Sequence, residues 1–297
     1  MNKTLLLKLL RLWPLHLLLL LAAAALLAPW IAPQNPFDPA QLELMDGYTR
    51  PLQQGAASGR WYLLGSDDQG RDLLSAILYG ARVSLAVGLA AVAFSLLLGV
   101  GLGLLAGYAG GLLDALIMRV ADVQLTFPVI LVALLLSGLL TGLLQGLLPP
   151  SQREALAIYV LVLAIGLSEW VPYARTVRAA VLVEKGRDYV LAARVIGRSP
   201  AAIAWHHILP NIAAPITVIA TISFALAIIA ESTLSYLGVG LPPTTPSLGT
   251  LIRLGQGFLL SGEWWILLFP ALLLLAVALS VNLLGDRLRD HLNPGLR

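Results

Sequence analysis

The sequence predicts an all-α integral membrane protein with six membrane spans. Three observations carry that expectation. Hydrophobic residues make up 58% of the 297-residue chain and charged residues only 12%, against about 25% charged in a soluble domain. The apolar runs are long and continuous rather than alternating, which favours helices over barrel strands. Lys and Arg gather in alternate loops, as the positive-inside rule requires. The net charge of +3 is therefore a membrane-topology signal, not a nucleic-acid footprint. The absence of cysteine excludes disulfides and thiolate chemistry. No Gly-Lys-Ser/Thr phosphate loop occurs, so the chain is not itself a P-loop ATPase.

Lys3, Lys8 and Arg11 precede an uncharged run from Leu12 to Asp38, a basic flank before a first span with a cytoplasmic N-terminus. A cleaved signal peptide with a small-residue site at Ala22 to Ala25 is the competing reading, but the apolar stretch is longer than a typical signal core. Residues 33 to about 78 are polar and rich in Pro and Gly, and read as an extracytoplasmic segment. Leu73, Leu74, Ile77 and Leu78 follow Asp72 at helical spacing, which suggests an interfacial helix before the second span. Asp67-Asp68 reads as a solvated turn or helix cap in preference to a metal site.

The second span extends from about Val83 to Gly107. Gly88, Gly99, Gly101, Gly103 and Gly107 in it would admit a close neighbour, or are merely tolerated there. Gly110-Gly111 make a turn, and Asp114, Arg119 and Asp122 mark an aqueous edge. The uncharged run from Val123 to Gln152 holds the third span, and Pro149-Pro150 its outer turn. The fourth starts near Ala155, with Glu169 toward its inner half and Arg175 and Arg178 beyond. The fifth starts near Ile212 and is uncharged up to Glu231; Pro242, Pro243 and Pro246 then shape an irregular outer loop. Trp264 and Trp265 open the sixth span, which ends at Gly285. With the N-terminus inside, 13 Lys/Arg fall in the cytoplasm and 6 outside. The expected division is 1–32 for the N-terminal end and first span, 33–79 outside, 80–285 as a five-span core, and 286–297 as a cytoplasmic tail.

One polar island interrupts this pattern, from Glu184 to Asn211. Ala192-Ala193 lie in a helix-favouring run that Gly197 breaks. Ser199-Pro200 suits an N-cap with proline at the first helical position, and a short helix of roughly Ala201 to His207 then stops before Pro210. The spacing of Ala192-Ala193, Gly197 and Leu209-Pro210 resembles the EAA loop of ABC importer permeases. Leu191 stands where Glu is usual in it and His207 where Ile is usual. The wording from Asp188 to Gly197 is similar to the second permeases of the dipeptide, oligopeptide and nickel branch. The stretches Leu64 to Leu85, Gly107 to Pro128 and Ala230 to Ile252 resemble that family too.

The resemblance implies a type I importer permease in a bacterial inner membrane, both termini cytoplasmic. It implies a heterodimer with a similar permease, two cytoplasmic ABC ATPases that carry the ATP and Mg, and an extracytoplasmic solute-binding protein. The ATPase-coupling surface would be formed by Ala192, Ala193, Gly197, Ser199, Pro200, Ile203, Trp205, His207, Leu209 and Pro210. Ala201, Ala202, Ile203 and Trp205 would present its apolar face. The chain itself would carry no cofactor, bind no nucleic acid and catalyse no reaction. A membrane scaffold that only holds an ATPase is the alternative. A secondary transporter is a third reading, weakened because no inverted repeat is evident.

Two acids, Glu169 and Glu231, lie in or near spans, where an ionised group costs roughly 2.5–3.5 kcal/mol at the bilayer centre. Each is either a polar lining of the pathway or an off-centre acid paired with a neighbouring helix. Ser232, Thr233, Ser235 and Tyr236 could satisfy Glu231 locally. His206 and His207 read as contact residues more readily than as ligands or pH sensors.

Overall fold

The computed structural model describes residues 13–292, apart from Leu148, Pro243, Thr244 and Pro246. The basic flank at Lys3, Lys8 and Arg11, two of the outer-loop prolines and the last five residues lie outside the described residues. Helix α1 (Trp13–Leu26) and the one-turn α2 (Ala28–Ile31) open the described chain. The uncharged run stops being helical there, because Pro29 restarts the helix and Ala32 turns extended.

The extracytoplasmic segment is folded rather than loose. Two single-turn 3-10 helices precede a two-stranded hairpin, β1 (Gln53–Gln54) with β2 (Trp61–Tyr62). Buried Asp46 accepts from Ala57 N–H at 2.8 Å and from the Tyr62 hydroxyl at 3.2 Å. The segment docks on the rest of the bundle through Trp265, whose indole N–H donates to the Ser66 carbonyl at 3.1 Å. Asp67 corrects the expectation of a solvated turn: it is 6% exposed and accepts from the backbone of Gln69 and Arg71.

Helix α3 (Leu73–Ala109) is the axis of the molecule. At 37 residues it is about 55 Å long, well beyond the roughly 30 Å hydrocarbon layer. The expected interfacial helix and second span are therefore one element. Asp72 caps it by accepting from Ser75 N–H at 2.8 Å, and nothing stops it before Gly110, which turns the chain at φ +68°.

Helix α4 (Gly111–Leu125), α5 (Val129–Leu147), α6 (Pro150–Ser168) and α7 (Trp170–Glu184) follow. The uncharged run expected to hold the third span contains the whole of α5, and α4 precedes it with Asp114, Arg119 and Asp122. The chain bends by 99° between α4 and α5, because Pro128 disfavours helix in the residue before it and starts the next one. The 19-residue α5 is long enough to cross alone, at about 28 Å. The α3–α7 pair is the most extensive contact between helices. A Cβ at Gly99 would lie 2.6 Å from Tyr173 Cβ, at Gly103 2.8 Å from Val177 Cβ, and at Gly107 2.7 Å from Val181 Cβ. Glycine every fourth residue thus lets two backbones touch; Gly101, off that stripe, faces open space.

After the polar loop come α11 (Ala213–Tyr236), α12 (Leu248–Gln256) and α13 (Trp265–Leu292); α8 to α10 belong to the loop. Helix α12 lies where an irregular outer loop was expected. Ser247 caps it, and Leu248, Gly249, Thr250 and Leu251 are buried. Helix α13 continues past Gly285, so the expected tail is helical to Leu292. Among the described residues α3, α11 and α13 each pass as a membrane span on length and hydropathy, and up to five crossings result if the α4–α5 and α6–α7 pairs, the former including α5, each count as one span. Helix α1 is a further, shorter apolar helix, so the described residues are compatible with six.

Candidate functional site

The polar island is built from α8 (Asp188–Val195), α9 (Pro200–Ile203), a π turn (Ala204–Ile208) and α10 (Leu209–Asn211). Helix α8, which carries Ala192 and Ala193, ends in a Schellman motif. Gly197 N–H donates to Arg194 C=O at 2.9 Å and Arg198 N–H to Ala193 C=O at 3.1 Å. Gly197 takes φ +81°, the left-handed conformation this motif demands. The Ser199 hydroxyl then accepts from Ala202 N–H at 3.3 Å and Pro200 fills the first turn.

The short helix does not stop before Pro210 but continues to Asn211. Pro210 lacks the N–H that a regular turn would use, and the ladder widens instead: Leu209 N–H reaches back to Ala204 C=O. The Asn211 amide closes the turn onto His207 C=O at 2.6 Å.

Seating of the loop separates its residues into two sets. Ile203 and Ile208 are 1% and 0% exposed and pack with Val177, Val181, Val190 and Ala193 in one cluster. Burying each contributes about 1.5–3 kcal/mol. Ile203 and Ala193, expected on the contact surface, therefore face the chain's own core. Leu209 is half-buried against the same cluster. The outer face carries Trp205 at 58%, Val195 at 88% and Ile196 at 79% exposed. Ala192, Ser199, Pro200, Ala201 and Pro210 are exposed, and Ala202 and His207 half-exposed. Val195 and Ile196 were not singled out from sequence; their position just before a glycine break was the available signal.

Charges hold the loop to α3 and α7. Lys185 Nζ donates to Gly107 C=O at 3.0 Å, at the C-terminal end of α3 where a cation is favoured. The Arg194 guanidinium lies 5.4 Å from the centre of the Tyr108 ring. Asp114 and Asp122 on α4 pair with Arg178 and Arg175 on α7. Burial, and then the Glu184 carboxylate it donates to, push the Tyr189 phenol up to about 12, so it stays a donor.

The two acids occupy different settings. Glu169 is half-buried at the 42° bend between α6 and α7. Gln124 of α4 completes that bend: its amide donates to the Leu167 and Ser168 carbonyls at 3.0 and 2.9 Å and accepts from the Trp170 indole at 2.8 Å. Glu231 is 0% exposed. It accepts from Ser84 and Ser235, both at 2.7 Å, and from Ser232 at 3.3 Å. Ser84 in turn accepts from Leu248 N–H at 3.1 Å. The acid thus joins α3, α11 and α12, a partnership across 147 residues between Ser84 and Glu231 that sequence reasoning did not find.

A bundle of membrane helices around a glycine-packed axis, with a glycine-bent polar loop at one end, defines a membrane-embedded transport subunit. The chain belongs to the family described as binding-protein-dependent transport system inner membrane component, whose pattern matches residues 99–297. It is a permease subunit of an ABC importer, a multi-pass inner-membrane protein and not an enzyme. It is 38% identical over 280 residues to the di/tripeptide transport system permease protein DppC of Pseudomonas aeruginosa, covering 94% of this chain and 86% of that one. It is 41% identical over 273 residues to the dipeptide transport system permease protein DppC of Escherichia coli K12, covering 92% and 85%. A chain of the inward-facing MetNI methionine ABC transporter shares its fold, with a TM-score of 0.53 at 20% identity over 72% of this chain and 94% of that one.

Proposed function

We propose that this permease forms half of a pathway for short peptides and that residues 188–211 couple it to cytoplasmic ATPases. The peptide assignment is supported by relatives named for dipeptide and di/tripeptide transport at 38–41% identity over more than nine-tenths of the chain. The partners are a similar permease, two ABC ATPases that bind ATP and Mg, and an extracytoplasmic binding protein. Both termini lie in the cytoplasm. The coupling surface consists of the outward residues Val195, Ile196, Ala201 and Trp205, with Ala192, Gly197, Ser199, Pro200, His207 and Pro210 shaping it. Ala193, Ile203 and Leu209 support it from within. A helix seated on buried isoleucines transmits a push into α7 and α3 instead of yielding to it, and that seating is the observation that carries the proposal.

Gly197→Val tests it. The Cβ would meet open space, so only the left-handed backbone is penalised, by about 1–2 kcal/mol. The spans should insert, while co-purification of the ATPases, or stimulation of hydrolysis by loaded binding protein, should fall sharply. Trp205→Ala should show a milder defect. Parental values of both for Gly197→Val would make the loop an ordinary connector.

A further inference from the structure

At the end of the bundle opposite the polar loop, a cavity of about 600 Å³ opens between α5, α6 and the loop after α11. Its size falls in the range of small-molecule sites. Among the described residues lining it, Arg253 is the one charged side chain; Thr141 and Gln145 of α5 are its polar companions. The Arg253 Nε is buried and has no hydrogen-bond partner among the described residues, and no described carboxylate lies within ion-pair distance of the guanidinium. The other end of that guanidinium lies over Gly238, where an added Cβ would be 3.0 Å from Arg253 Nη1. Gly238 holds φ +82°, and the loop beside it is fastened to α5 by the Ser137 hydroxyl donating to Val239 C=O at 3.2 Å.

A half-buried guanidinium with no described carboxylate partner, at the outer mouth of a membrane bundle, points to a pathway entrance or a ligand site. Its planar fork of donors matches a carboxylate, which it can hold bidentately. The neutral Thr141 and Gln145 do not compete for that charge. We propose that Arg253, with Thr141 and Gln145, forms a subsite that receives the C-terminal carboxylate of the peptide as it leaves the binding protein. The assignment rests on the peptide reading above. Every short peptide carries that carboxylate whatever its side chains, so one fixed cation serves a pathway that accepts many sequences.

The test uses the whole transporter in proteoliposomes, with both permeases, the ATPases and binding protein. The probes are trialanine and its C-terminal amide, each presented on binding protein loaded to the same occupancy. The parent should import the free acid about tenfold more efficiently per ATP hydrolysed than the amide, the worth of one charge-assisted contact. In Arg253→Gln the two probes should converge to within about twofold, with Arg253→Lys between. Undiminished discrimination in Arg253→Gln, or none in the parent, overturns the subsite while leaving peptide import intact. An equal loss for both probes that tracks a loss of assembled complex also overturns it, making Arg253 structural. Discrimination in the parent that vanishes when phosphatidylglycerol replaces phosphatidylcholine assigns the guanidinium to a lipid head group and overturns it as well. Import of neither probe by the parent refutes the peptide reading, and the subsite falls with it.

Discussion

Replacing Glu231 by leucine should loosen the bundle rather than change what it carries. The carboxylate is the common acceptor for hydroxyls on two helices, at 2.7 Å from Ser84 of α3 and 2.7 Å from Ser235 of α11. Ser84 simultaneously receives Leu248 N–H of α12 at 3.1 Å, so three helices meet at one hydroxyl. Leucine removes the acceptor and leaves Ser84, Ser232 and Ser235 buried without it. Each serine sits in a helix and can turn back onto a carbonyl of its preceding turn, which recovers part of the loss. The unrecovered part is the interhelical bond, about 0.6 kcal/mol on average and up to about 1.7 in a bilayer. Imperfect redirection of the hydroxyls adds roughly 1 kcal/mol. The expected cost is therefore about 1–3 kcal/mol, or several degrees in thermal midpoint. Glu231→Gln, which keeps the shape and one acceptor oxygen, should lose less. The assay is thermal unfolding of the purified complex, read beside peptide import normalised to assembled complex. Midpoints should fall for leucine more than for glutamine while normalised import holds. An unchanged midpoint with reduced normalised import would refute the clamp and place Glu231 on the pathway.

Three further outcomes are expected. Gln124→Leu strips partners from the Leu167 and Ser168 carbonyls and from the Trp170 indole. It should cost about 1–3 kcal/mol, visible as a lower thermal midpoint that Gln124→Asn does not restore. Burial pushes the Asp67 carboxyl up to about 6 from 3.8, so the folded outer segment favours the protonated form. Its stability should fall as pH rises from about 4 through 6, by at most about 3 kcal/mol. Protease cutting within residues 44–72 should follow that window in the parent and depend less on pH in Asp67→Asn, where Asp72, also raised by burial, remains. Finally, a reporter active only outside the cytoplasm should work when fused after Gly55 or Thr245 and be silent after Lys185; activity at the last would reverse the orientation.

Much of the fold was legible in order along the chain, because a bilayer imposes long uncharged runs and leaves charges at their ends. The Gly110-Gly111 turn, the start of the last helix at Trp265 and the glycine break at 197 follow from local chemistry, and the structure has each of them. Where the reading failed, a helix continued across a change of environment. Polarity changes at Val83 and at Gly285, but Val83 is no breaker and Gly285 keeps a helical backbone where it packs closely on Thr221, so α3 and α13 pass through.

The sequence by itself determined the class of protein, the α-helical spans and the bend that presents the loop, all of which rest on neighbours within a few residues. Only the tertiary structure decided which residues face where. Ile203 and Trp205 are two positions apart in one short helical stretch, yet one is 1% and the other 58% exposed. That difference is set by the cluster of Val177, Val181 and Val190 beneath the helix, residues on other helices that no local pattern names. The same holds for Glu231, whose partner Ser84 is 147 residues away, and for Arg253, an unremarkable basic residue until a cavity forms beside it. Local propensity and the bilayer specify elements; contacts between elements distant in the chain specify their faces, and those faces carry the function.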